Sequence, residues 1–172
     1  MTVAQGFMVG GSPDRGGPWR VLAGGEQTGG AVTFGDARIP PGSPGPGRHV
    51  HSREDEAIYV VEGVLTVEVG DRRFEAGPET LVWLPRNVPH VFANLSDGLV
   101  RTVGVITPSG LEGMFAEQAV YFSQLQGPPD PAVLAAISVK YGVLPVEGPH
   151  CGSAAVPIAD GVGAAVTGSL EA

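Results

Sequence analysis

HVHSREDEAIYVVEG, residues 49–63, decides how this chain folds. In a strand successive side chains point to opposite faces, so His49 and His51 project from the same side. The apolar run that follows carries Ile58, Tyr59, Val60 and Val61, residues that fit a pleated, half-buried surface, and Gly63 ends it. Three carboxylates, Glu54, Asp55 and Glu56, stand between the histidines and that run and compete for the place beside the imidazoles. Parity favours Glu56, because Glu56, Ile58 and Val60 share one strand face while Asp55, Ala57 and Tyr59 share the other.

A second stretch, PRNVPHVFAN at 85–94, adds His90 between two strand-like runs. Three of the chain's four histidines therefore fall in two short clusters. A lone histidine on an apolar strand is usually a hydrogen-bonded core residue, and a lone glutamate a solvated charge. Together the imidazoles and one carboxylate make a mixed nitrogen and oxygen ligand set that suits a divalent first-row transition metal and leaves coordination positions open. Unperturbed imidazoles titrate near pH ~6.5, so histidine ligation predicts metal affinity that falls as pH drops through that range.

The flanking sequence is built for short strands. Charged residues make up only 16% of the 172 residues, with 27 glycines and 16 prolines, a mix that favours strands and tight turns over long helices. PWRVLA at 18–23 and AVTFGDARI at 31–39 precede a PPGSPGPG loop at 40–47 that cannot continue a ladder. EAIYVVEG, VLTVEVGD, RRFEAG, TLVWLP, HVFANL and LVRTVGVI then follow at close spacing, and Leu65, Val67 and Val69 alternate with Thr66 and Glu68. The prediction is an all-β sandwich or barrel.

The spacing H-x-H-x4-E-x6-G, followed by P-x-N-x2-H-x3-N, closely resembles the two motifs of the cupin superfamily. With its flanking strands the resemblance runs over roughly 29–108. It implies a double-stranded β-helix, a jelly-roll barrel, in which His49, His51, Glu56 and His90 hold one divalent transition-metal ion: iron, nickel, cobalt, manganese, copper or zinc. Gly63 matches the glycine that closes the first motif. Asn87 stands where the second motif usually has glycine and can fill a left-handed turn, and Ser43 replaces an expected glycine among Gly42, Gly45 and Gly47. The complete three-histidine, one-glutamate motif in one barrel with a helical extension is similar to the bacterial single-domain quercetinase-like proteins. That similarity implies a dioxygenase acting on a flavonol-like or other enolisable hydroxy-carbonyl small molecule, with dioxygen as co-substrate. The site's chemistry offers Glu56, whose pKa an apolar lining would raise when it is off the metal, or a metal-bound water as catalytic base. An isomerase, cyclase or decarboxylase using the metal as Lewis acid, and a stand-alone small-molecule binder, remain alternatives, because one fold hosts many functions. Ile58, Val60, Trp83, Phe92 and Asn94 are the candidate pocket residues, with core filling as their competing role.

Beyond residue 108 the period changes. Ser109 and Glu112 form a capping-box pattern ahead of Leu111, Met114 and Phe115, and Asp130 with Pro131 opens a second helix whose face carries Leu134, Ile137 and Tyr141 up to Gly142. The predicted organisation is an arm and first strand over 1–28, the barrel over 29–108, helices packing on the barrel over 109–147 and a loose tail over 148–172. A net charge of −8 argues against nucleic acid or an anionic membrane as partner. The N-terminal segment has no secretory pattern, no apolar run is long enough to span a bilayer, and the single cysteine, Cys151, cannot form an internal disulfide, which together predict a cytoplasmic protein. His150 beside Cys151 is not read as a site, because adjacent side chains rarely converge. Sheet edges near Trp19 and Ala31 predict a homodimer.

Overall fold

Alternation governs the middle of the chain. The computed structural model describes residues 6–9 and 19–153. Its elements are β1 (Trp19–Ala23), α1 (Gly25–Thr28), β2 (Thr33–Ile39), β3 (His49–His51), β4 (Asp55–Glu62), β5 (Leu65–Val69), β6 (Arg72–Ala76), β7 (Leu81–Leu84), β8 (His90–Ala93), β9 (Val100–Thr107), α2 (Glu112–Ser123), α3 (Pro131–Lys140) and β10 (Val143–Pro145). The strands form two antiparallel five-stranded sheets, ordered β1-β2-β9-β4-β7 and β10-β3-β8-β5-β6. Ile58 and Val60 from β4, Leu65 and Val67 from β5, Leu84 from β7 and Val100 from β9 fill the space between them. Each such side chain contributes about 1.5–3 kcal/mol by leaving water. The all-β barrel with a short helical extension is therefore present.

Turn chemistry holds the register. Asn87 has φ of 61° and fills the left-handed position expected of it, while its N–H donates to the His51 carbonyl. Asn94 is fully buried, donates through its amide to the carbonyls of Ile39, Pro40 and Gly98, and accepts from Ser96. It locks three backbone segments together and does not face the barrel cavity.

The segment after residue 108 departs from expectation in three places. Leu111, not Ser109, precedes the first helical residue, and the Glu112 carboxylate serves as a clasp: it accepts from Gly25 N, Gly110 N and the Thr33 hydroxyl, pinning α2 to β2 and to the turn before α1. Its pKa is lowered, the three donated hydrogen bonds together outweighing the upward push of burial. α3 follows the sequence reading, with Asp130 accepting from Ala132 N and Pro131 in the first turn. The chain then re-enters the sheet as β10, which was not anticipated; Val143 pairs with His51 and Pro145 with His49. Finally, residues 148–153 do not hang loose. Gly152 N donates to the buried Glu68 carboxylate, which also pairs with Arg48 at 3.3 Å, and Cys151 Sγ lies 3.7 Å from the Thr66 carbonyl. The rest of the expected tail and most of the N-terminal arm lie outside the described residues.

β1 and β10 extend the two sheets, and α2 and α3 bridge them with a second apolar cluster of Ile106, Leu111, Met114, Ile137 and Val143 packed against Trp19 and Phe115. No helix among the described residues is long and apolar enough to cross a membrane.

Candidate metal centre

The two sheets bring the imidazoles and the carboxylate together from opposite walls. β3 supplies His49 and His51, β8 supplies His90 directly opposite His49, and β4 in the other sheet supplies Glu56. One ring nitrogen from each histidine lies within 4.8 Å of the others. His49 Nε2 and His51 Nε2 are 3.1 Å apart, and Glu56 Oε2 is 3.8 Å from both His51 Nε2 and His90 Nε2. Of the three rival carboxylates Glu56 is the one beside the imidazoles. Asp55 accepts from Arg86 N at 2.8 Å and Arg86 Nη2 at 2.7 Å, and the buried Glu54 interacts with Arg53, Arg86 and Glu112.

Backbone carbonyls set two tautomers. His49 Nδ1 donates to Gly47 O at 2.7 Å and His90 Nδ1 to Val88 O at 2.9 Å, so each Nε2 carries a lone pair aimed inward. Both carbonyls belong to the residue two before the histidine, an arrangement each tight turn creates locally. His90 Nε2 is buried with no hydrogen-bond partner, whereas His51 meets the cluster through Nε2 and it is the Nδ1 on the other edge of its ring that is buried and unpaired. Unpaired buried acceptors cost free energy in a protein interior, and lone pairs converging on one point are what a cation would satisfy. The residues present therefore fit a divalent metal ion: the three imidazoles could hold it, with Glu56 Oε2 beside them.

The electrostatics are those of a dry site. Burial, reinforced by the neighbouring imidazoles His49 and His90, pushes His51 down to about 3, and burial with His49 pushes His90 down to about 4. His49 is lowered too, by burial, against its bond to the Gly47 carbonyl. Burial raises Glu56 to about 7. The expected pH range shifts accordingly: His51 and His90 give up their protons well below neutrality, and Glu56 titrates at about 7.

A cavity of about 560 Å³ opens from this cluster. Ile58 and Phe92 line it as expected. Three other expected pocket residues do not. Val60 is sealed in the core, Asn94 is the backbone lock described above, and Trp83 is 50% exposed on the outer face of its sheet. Its register partner is Ala57, whereas Glu56 pairs with Leu84 and Ile58 with Val82, so a one-residue parity error put Trp83 on the wrong side. Part of the cavity's lining comes from residues outside the barrel segment: Trp19 of β1, Met114, Phe115 and Gln118 of α2, and Ser138 of α3. The helical spacing of Met114 and Phe115 signalled a buried face but not what it would cover. Cys151 is no reactive thiol, since burial and the nearby Glu68 carboxylate push it up to about 11.

Residues 35–106 match the family model of the cupin domain. No curated protein sequence matches the chain. Among solved structures, a predicted oxalate decarboxylase from Thermotoga maritima is 20% identical, with a TM-score of 0.50, over 52% of this chain and 78% of that one. KdgF from Halomonas sp. is 19% identical with a TM-score of 0.48, over 55% and 82% of the two chains. A cupin-superfamily sugar phosphate isomerase from Silicibacter pomeroyi is 24% identical with a TM-score of 0.44, over 52% and 59%. The fold is the cupin double-stranded β-helix.

Proposed function

We propose that this protein is a metal-dependent enzyme in which His49, His51, His90 and Glu56 hold one divalent transition-metal ion, and that it acts as a dioxygenase on a flavonol-like or other enolisable hydroxy-carbonyl compound. What carries the reading is the convergence of three imidazoles, His90 Nε2 among them buried and unpaired, with the Glu56 carboxyl on the wall of one largely apolar cavity. A bound ion would supply Lewis acidity to the substrate's oxygens and, when redox-active, electrons to dioxygen. The chain's own residues do the rest. Glu56 Oε2, 3.8 Å from two of the imidazoles, would take the proton from a substrate hydroxyl. Ile58 and Phe92 exclude water beside it. A substrate anion formed there gains from the surrounding low dielectric once a cation faces it.

The same proton transfer supports a second reading, an isomerase, cyclase or decarboxylase that needs the metal only as Lewis acid; Glu56 serves that chemistry equally well. The experiment is metal analysis of the purified protein followed by oxygen-electrode assays against a flavonol and hydroxy-pyranone panel. Oxygen consumed in proportion to substrate lost supports the dioxygenase. Turnover that proceeds unchanged under argon selects the second reading, and a protein that takes up no metal defeats both.

A further inference from the structure

The part of the cavity lined by β1 and α2 has a composition that core filling does not explain. Trp19 reaches into the barrel across Gly35 and Gly104, which are register partners on β2 and β9. A Cβ on Gly35 would stand 2.1 Å from the indole, and one on Gly104 would stand 2.5 Å from it. Both residues must be glycine for the ring to lie where it does. Its indole N–H is buried without an acceptor, a cost that phenylalanine or leucine at the same position would avoid. Phe115 of α2 meets the indole at 5.5 Å between centroids with the rings tilted by 42°, leaving a wedge open to the cavity. One turn further along α2, on the same helix face, Gln118 also lines the cavity and makes no hydrogen bond within the described residues, a polar group in an otherwise apolar stripe.

We propose that Trp19 and Phe115 form an aromatic-ring subsite that sets substrate specificity, selecting planar ring systems that carry adjacent oxygen donors at the end nearest the histidines and a polar substituent toward Gln118. This rests on the reading of the histidine cluster as a metal site for the orientation of the ligand, but not for the existence of the subsite. Stacking on the tilted pair adds affinity only for a ligand long enough to reach it, and a cavity of about 560 Å³ has room for a fused bicyclic or tricyclic molecule.

The probes are maltol and 3-hydroxyflavone, which share one hydroxy-pyranone head and differ in aromatic extent. Binding is measured by calorimetry on the full chain, zinc-loaded so that no turnover occurs, and again zinc-free. The wild type should prefer 3-hydroxyflavone by at least about tenfold, and Trp19→Leu and Phe115→Leu should each cut that preference by about tenfold while leaving maltol within about twofold. Gly104→Ala, which pushes the indole into the wedge, should weaken 3-hydroxyflavone and spare maltol. Equal affinity for the two probes in the wild type, or an unchanged preference in folded leucine variants, overturns the subsite. Should Trp19→Leu or Gly104→Ala fail to fold, the variant at the half-buried Phe115 decides the matter alone. Failure of zinc to bind defeats the metal reading, and the 3-hydroxyflavone comparison in zinc-free protein still decides the subsite.

Discussion

His51 and Val143 face each other across a β-ladder, so the strand that presents two of the three histidines is held from its outer edge by the last strand described. On its inner edge β3 has a single register pair with β8, His49 opposite His90. β10 is therefore the main restraint on where two imidazoles point, and Gly142 is its hinge: φ is 82°, its carbonyl accepts from Ser52 N and Ser52 Oγ, and a Cβ there would lie 2.6 Å from that hydroxyl. Gly142→Ala should cost about 1–3 kcal/mol through the left-handed backbone and the contact, and should weaken metal binding by shifting β3. Gly77→Ala, with nothing near its Cβ, is the control. Metal affinity unchanged in the Gly142 variant would remove β10 from the site's support.

The imidazoles should be individually indispensable for the metal. His51→Ala and His90→Ala remove groups that are 3% and 0% exposed, so each leaves a small void in a barrel whose apolar filling is intact and should stay folded. Stoichiometric zinc or nickel uptake, read by elemental analysis after gel filtration, should vanish in both. Full retention of metal in either variant would contradict the assignment.

Acid should destabilise the metal-free protein in two stages. His51 and His90 are depressed to about 3 and 4 by burial, so they favour the folded state above the unfolded imidazole value of ~6.5 and lose that contribution as pH falls toward their folded values. Glu56, raised to about 7 by burial, acts oppositely: its contribution is present below the ordinary carboxyl range near ~4.3 and fades as pH rises through 7. Between about pH 6.5 and 4.5 two imidazoles outweigh one carboxyl, and below that the imidazoles continue to change at about 1.4 kcal/mol per pH unit each, joined by the depressed carboxyls of Glu112 and Asp55. Urea midpoints should fall slowly and then steeply on acidification, and a His51→Gln, His90→Gln double variant should show a shallower slope. A double variant with the wild-type slope would contradict the depressed values.

Much of this was readable from residues alone because strand parity and motif spacing are local properties. His49, His51, Glu56 and His90 needed only alternation along a strand and a recurrent spacing, and Asn87 needed only the knowledge that asparagine tolerates positive φ. Trp83 was misplaced because facing depends on which residue of β4 lies across the ladder, and that register is a long-range fact. β10 escaped because three residues, Val143–Pro145, carry too little pattern to distinguish a strand from a tail. Trp19 and Phe115 lie nearly a hundred positions apart, and nothing in either neighbourhood announces that two glycines make room for the indole between them.

Because Trp83 lies outside, changing it should leave ligand binding alone. Trp83→Gln removes an indole that is 50% exposed, and should leave both metal content and the affinity for 3-hydroxyflavone within about twofold of wild type, whereas Ile58→Ala, beside Glu56 on the cavity wall, should weaken the flavone. The reverse pattern would mean that the outer sheet face contacts the ligand.

Glu56 separates two roles that the geometry permits together. As a ligand only, it completes the cation's charge balance, and Glu56→Gln should weaken metal binding and lower activity in parallel, since a neutral amide is a poorer donor to a divalent ion. As the base that takes the substrate's hydroxyl proton, it should cost turnover far beyond any loss of metal, because general-base contributions are typically about 10²–10⁴-fold. Burial raises its pKa to about 7 in the metal-free protein, which makes the carboxyl a proton acceptor there. A bound cation at the imidazoles would pull that value down, so the metal-loaded enzyme should keep activity to lower pH than the metal-free titration of Glu56 suggests. The measurement is activity per bound metal in Glu56→Gln: a value within about threefold of wild type, well below the general-base range, assigns Glu56 to metal binding alone.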